Sequence, residues 1–309
     1  MNPYVFIVGC PRSGTTLLKR IVGAHPDIAI SRETHWITKL LGGDDGASTT
    51  APVTRALLER LLADERFRRL RLDAAALERL IAGDRPVSYA ELVTAVYDQL
   101  GAREGKPFVG DKTPRYVRYV PVLHELFPHA RFVHLIRDGR DVCLSVLDWE
   151  RRHEAFARMP TWERDRVSTT ALWWERRVRA GREGGVPLAD GLYHELRYEA
   201  LVADPEGSCR ALCDFLALPY SERMISFHEG HEKHDASLSA KRAWRPITPG
   251  LRSWRTEMSG AALERFEAAA GELLDELGYE RAVPDPGPAA VEHAARMRAA
   301  LTPDVAGPR

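Results

Sequence analysis

Tyr4–Ala24 reads YVFIVGCPRSGTTLLKRIVGA, and this stretch decides the fold. Tyr4–Val8 is an apolar run with β-branched residues, closed by Gly9 and Pro11, which predicts a buried strand. Gly9-Cys-Pro-Arg-Ser-Gly14 is a turn. Thr15–Ala24 then carries Leu17, Leu18, Ile21 and Val22 at helical spacing, and Pro26 stops it. Gly9 and Gly14 stand where the backbone must turn sharply and approach a ligand closely. The amides of Ser13, Gly14, Thr15 and Thr16 open a helix N-terminus, which attracts an anion.

Outward from this unit, Ile28–Ile30 reads as a second strand. Phe108-Val-Gly110 is a strand edge running into Asp111-Lys-Thr-Pro114, Arg131–Ile136 is a clear strand, and Gly191–Arg197 is another with Tyr198 at its end. Helical patterns cover 116–127, 139–147, 169–182, 205–216 and 261–277. Between residues 42 and 105 the texture changes. Segments 53–63, 73–82 and 88–100 have 3.6-residue periodicity, which predicts a helical insertion over one end of a sheet. Strands alternating with helices give an α/β fold: a P-loop-type parallel sheet flanked by helices, with the insertion on the substrate side. Residues 1–283 read as a single domain and 284–309 as a partly ordered Pro/Ala-rich tail. Ligands of such sheets sit beyond the carboxyl ends of the strands.

The 309 residues hold 44 Lys+Arg and 44 Asp+Glu, a formal net charge of zero. That balance disfavours a polyanion-wide footprint for nucleic acid or anionic membrane and is silent about a small basic pocket. Cys10, Cys143, Cys209 and Cys213 have neither the density of a disulfide framework nor the spacing of a zinc site. No apolar run approaches the ~20 residues of a membrane span. The start of the chain has no basic region before its first glycine turn, so a cytoplasmic protein is expected.

Set against GxxxxGK[ST], the loop matches in spacing, with Thr15 in place of the lysine. A nucleoside triphosphatase or kinase would be crippled by that loss. Arg12 offers instead a planar fork suited to phosphate or sulfate oxygens. CPRSGTTLL after a first strand resembles the 5′-phosphosulfate loop of sulfotransferases that use 3′-phosphoadenosine 5′-phosphosulfate (PAPS). The longer run PRSGTTLLKRIVGAHPDIAISRETHW is most similar to the branch containing the tyrosylprotein sulfotransferases and many bacterial enzymes.

The resemblance implies a donor site and a reacting pair. Arg12, Ser13, Gly14, Thr15 and Thr16 would hold the 5′-phosphosulfate. In RFVHLIRDGRDVCLS, Arg137 and Ser145 would bind the 3′-phosphate, an arginine and a hydroxyl two helical turns apart gripping one dianion. Tyr198 of YEALVADPE would lie near the nucleotide. Arg252 or Ser253 of TPGLRSW (248–254) could reach the 3′-phosphate. Glu33, in Arg32-Glu-Thr-His35, falls where the tyrosylprotein branch has its base. His35 replaces an arginine of that branch and stands as a second possible base or an acceptor-orienting group. Lys112 of DKTP falls where the family's lysine meets the bridging oxygen. The histidine of the cytosolic branch's K-T-H run is absent, because Pro114 stands there.

Sulfuryl transfer needs a base, cations for the charge building on the leaving oxygen, and an in-line arrangement, with no metal. The expected activity is therefore transfer from PAPS to a hydroxyl, releasing adenosine 3′,5′-bisphosphate. The alternatives are a P-loop phosphotransferase and a nucleotide-binding protein without chemistry. Trp149, Phe156 and Trp162, with the insertion, suggest an acceptor having an apolar or aromatic part. A small metabolite, lipid or natural product is expected rather than a secreted protein's tyrosine. The oligomeric state is not legible.

Overall fold

The computed structural model describes residues 4–41, 48–49, 51–148, 156, 159–229, 247 and 252–301. Five strands, β1 (Val5–Gly9), β2 (Ile28–Ser31), β3 (Phe108–Lys112), β4 (Arg131–Ile136) and β5 (Tyr193–Arg197), form one sheet in the order β2-β3-β1-β4-β5. The β2/β3, β3/β1 and β1/β4 pairs are parallel. These four strands therefore finish on one edge, at Gly9, Ser31, Lys112 and Ile136. Parallel neighbours require crossovers, and helices supply them.

The helices are α1 (Thr15–Gly23), α2 (Trp36–Lys39), α3 (Arg55–Ala63), α4 (Glu65–Arg68), α5 (Ala74–Ile81), α6 (Tyr89–Glu104) and α7 (Val120–Leu126). They continue with α8 (Gly139–Leu147), α9 (Arg166–Gly185), α10 (Tyr198–Ala203), α11 (Pro205–Leu216), α12 (Trp254–Glu257), α13 (Gly260–Glu276) and α14 (Pro288–Ala300). By contact, the chain divides into two compact units, 1–9 with 14–135 and 181–247, and 10–13 with 136–180 and 248–309.

In the first unit β1 is apolar on both sides, as a central strand must be. Phe6 and Val8 pack with Val109, Tyr97 and Tyr116 on one face. Val5 and Ile7 pack with Leu18 and Ile21 of α1 and Leu212 of α11 on the other. The helical insertion is present as α3 to α6. Ser88 caps α6 in a reciprocal capping box with Glu91, which fixes where the helix begins. Its Tyr89, Leu92, Val93 and Val96 join the first of these cores, so this part of the insertion covers a face of the sheet. Residues 42–47 and 50 lie outside the described residues.

The second unit packs Val142, Cys143 and Val146 of α8 against Trp173 and Trp174 of α9 and Phe266 of α13. Phe156 and Trp162 are buried in the same core, with ring centroids 4.9 Å apart. They are packing residues rather than a surface for an acceptor; Trp149 and residues 150–155 lie outside the described residues. The tail expected after Pro284 is a helix over α14. Composition concealed its anchors: Ala294, Met297 and Leu301 are buried, and Arg298 donates to Glu175 at 2.6 Å. Residues 302–309 are not described. The four cysteines are free and buried. No helix among the described residues is long and apolar enough to cross a membrane.

Candidate active site

The first unit carries the turn glycines and the two candidates Glu33 and Lys112. Gly9, at φ 151°, lies where an added Cβ would meet the Leu135 carbonyl oxygen at 2.5 Å. Gly14 caps α1 in the left-handed region (φ 97°), and a Cβ there would stand 2.6 Å from the Tyr198 ring. The Tyr198 ring therefore packs against Gly14 at the start of α1. No side chain caps α1, and its first turn holds no acidic residue, so its leading amides keep their positive end. Gly14→Ala combines backbone strain with overlap. It should cost ~1–2 kcal/mol for the left-handed backbone alone, seen as a lower Tm, with Gly14→Ala/Tyr198→Ala recovering only the overlap part.

Glu33 and Lys112 meet. Lys112 Nζ donates to Glu33 Oε1 at 2.6 Å, and the second carboxylate oxygen, Oε2, lies 3.0 Å from His35 Nε2. Lys112 is buried to 5% exposure, while the Glu33 side chain keeps 30%. Burial would raise the Glu33 carboxyl, but the His35 hydrogen bond and the Lys112 ammonium outweigh it and hold the group well below the usual carboxylate range. Glu33 is thus ionised, and Nε2–H of His35 is the donor between them. Lys19, one turn beyond Thr15, was not a site candidate in the sequence. Burial first, then Lys112 and Arg32, push its pKa down to about 8, which places it in the positive field of the same cluster.

The second unit carries loop residues 10–13 and the residues around α8. Arg12 sits at φ 79°, unusual for a residue with a Cβ, and its Nε donates to Ser145 Oγ at 3.0 Å. Ser13 is fully buried, and its Oγ has no hydrogen-bond partner among the described residues. A buried orphan hydroxyl in such a loop fits a ligand oxygen. Arg137 leaves the end of β4, 8% exposed, and its Nη2 donates to Asp141 Oδ2 at 3.3 Å. Asp141 Oδ1 also accepts the Trp254 amide at 2.8 Å, tying the start of α12 to α8. Arg140, 1% exposed, is held by Asp138 and Glu267 and lies 3.6 Å from the Trp254 ring centroid, which joins α8, α12 and α13.

Arg252 pairs with Asp148 at 2.7 Å, and the Ser253 amide donates to Glu257 at 2.8 Å. Residues 248–251 of that motif lie outside the described residues. Among the described residues no group of three or more His, Cys, Asp or Glu could hold a metal ion.

A family model described as "Sulfotransferase family" matches residues 3–222. The chain belongs to the sulfotransferase family. It is 27% identical over 284 residues to a putative protein-tyrosine sulfotransferase of Caenorhabditis briggsae, covering 89% of each chain. It is 24% identical over 285 residues to human protein-tyrosine sulfotransferase 1, covering 90% of this chain and 70% of that one. In fold it is similar to the sulfotransferase domain of the Synechococcus PCC 7002 olefin synthase, with TM-score 0.60, 23% identity, and 90% and 95% coverage of the two chains. In its first unit this sulfotransferase joins a carboxylate and an ammonium, Glu33 and Lys112, at the carboxyl ends of β2 and β3.

Proposed function

We propose that this sulfotransferase transfers the sulfuryl group of PAPS to a hydroxyl of a small-molecule, lipid or natural-product acceptor, without a metal. The single observation that carries the reading is the Lys112–Glu33 contact. PAPS supplies an activated sulfuryl group on a good leaving phosphate. Glu33, ionised, takes the proton of the acceptor hydroxyl as the new S–O bond forms. The electron pair of the breaking S–O bond passes to the phosphate oxygen, and Lys112 neutralises it there. His35 holds Glu33 through its second oxygen and orients it. Arg12, Ser13, Gly14, Thr15 and Thr16 hold the phosphosulfate, and Arg137 with Ser145 holds the 3′-phosphate, Tyr198 lying beside the loop.

The two reacting groups are coupled through one proton donor. While Lys112 grips Glu33 the carboxylate is a weak base. Once the ammonium turns to the leaving oxygen, Glu33 loses a cation and burial raises its basicity. Base strength thus rises as the leaving group is stabilised.

The relatives' names favour a second acceptor, a protein tyrosine. Incubation with ³⁵S-labelled PAPS and three acceptor sets (phenols, aliphatic alcohols and metabolite extract, and a tyrosine peptide) separates them. Label in a small molecule is the expected result. Label in the peptide alone would replace that acceptor, and transfer of ATP γ-phosphate with Mg²⁺ but no sulfate transfer would overturn the reaction.

A further inference from the structure

We propose that Asp111 is a positioning residue for the reacting pair, holding Glu33 and Lys112 in one geometry through hydrogen bonds rather than through its charge. The inference rests on the assignment of Glu33 and Lys112 above. Ser31 and Asp111 are partners in the parallel β2/β3 ladder. Ser31 Oγ lies 2.8 Å from Asp111 Oδ2, and Thr34 N donates to Thr113 Oγ1 at 2.9 Å. Glu33 lies between Ser31 and Thr34 in the chain, and Lys112 lies between Asp111 and Thr113. Two cross-links, one on each side, therefore bracket the 2.6 Å contact of Lys112 with Glu33. The Asp111 carboxyl itself is directed to Ser31 and Tyr97.

The hydrogen-bond count indicates how Asp111 does this. It is fully buried, and its Oδ1 has no hydrogen-bond partner among the described residues. Oδ2 is approached by Ser31 Oγ and, at 3.4 Å, by Tyr97 OH. Ser31 Oγ also reaches the Arg32 carbonyl at 3.0 Å, yet a serine has one hydrogen to give. If that hydrogen serves the carbonyl, the 2.8 Å contact requires the proton to be on the acid. An ionised carboxylate with one oxygen bare would cost more in this core than a neutral acid does. Burial, the largest influence on Asp111, pushes its pKa up, in the same direction.

The experiment compares Asp111→Ala, Asp111→Asn and Ser31→Ala in the full chain, with labelled PAPS and adenosine 3′,5′-bisphosphate as probes. Asp111→Ala should lower kcat by ~10²-fold, the cost of misplaced reacting groups, with KM for PAPS unchanged. Asp111→Asn, which keeps the shape and a donor, should restore most of kcat. Ser31→Ala removes one bond and should lower kcat ~3–10-fold, with binding of the bisphosphate unaltered. It carries the test alone if Asp111→Ala does not fold. An unchanged kcat in Ser31→Ala, or Asp111→Asn as impaired as Asp111→Ala, overturns the proposal. Crystal structures of Asp111→Asn and Ser31→Ala add a readout that needs no acceptor: the Lys112–Glu33 contact intact in the first and opened in the second. A wild-type protein without transfer activity would sink the assigned reaction, and that contact would still decide the bracket, an intact contact in Ser31→Ala sinking it.

Discussion

Lys112→Ala lowers the rate of the chemical step by ~10²–10³ at saturating PAPS, the usual cost of one donor aimed at transition-state charge. Affinity for adenosine 3′,5′-bisphosphate hardly changes, because the ammonium is committed to Glu33 before reaction. Single-turnover quench of labelled PAPS measures the first, and calorimetry measures the second. A pH effect accompanies the loss. In the intact protein burial raises the Glu33 carboxyl, and His35 and Lys112 together pull it well below the usual range. Removing Lys112 removes part of that pull. The acid limb of the residual activity should therefore move to higher pH. Glu33 is a carboxylate with a depressed pKa, so its contribution to stability is present above its unfolded pKa and is lost as pH falls through the folded one. Lys112→Ala narrows that window from below. An acid limb unmoved by the substitution would count against Glu33 as the base.

Arg137→Ala acts on the other end of the donor. A charged hydrogen bond contributes ~1.5–3 kcal/mol, so losing an arginine fork should weaken adenosine 3′,5′-bisphosphate by about 10²-fold or more. Adenosine 5′-phosphate, lacking the 3′-phosphate, should bind almost as before. The discrimination between the two nucleotides is the quantity to measure, by competition calorimetry. Asp141 keeps its bond to the Trp254 amide in the variant, so the link between α8 and α12 should stand. Equal weakening of both nucleotides would assign Arg137 to the fold rather than to the 3′-phosphate.

Motifs tied to backbone geometry were the legible part of the molecule. The run YVFIVGCPRSGTT declared strand, turn and helix because two glycines and a both-sides-apolar strand admit few alternatives. Glu33 and Lys112 were readable as candidates from short motifs, though their contact was not, since it depends on β2 pairing with β3 across 79 residues of chain. The end of β3 was misplaced for a related reason. Two charged residues, Asp111 and Lys112, look like the start of a loop, yet Ser31 and Ile7 pair with them and carry the strand on. Arg252 shows what the motif alone left out: its neighbour Asp148, 2.7 Å away, is visible only in the fold. Phe156 and Trp162 suggested a contact for an apolar or aromatic acceptor and are core. The helix over 288–300 was hidden because alanine-rich composition resembles a linker until a partner buries one side of it.

The most direct test of the account is a metal-free one. Wild type and Glu33→Gln are incubated with ³⁵S-labelled PAPS in excess EDTA, with the acceptor that the panel identifies. The account predicts sulfate transfer by the wild type, and loss of ~10²-fold or more in Glu33→Gln, with both proteins binding adenosine 3′,5′-bisphosphate equally. Transfer that requires added Mg²⁺, or a Glu33→Gln protein as fast as wild type, would contradict it.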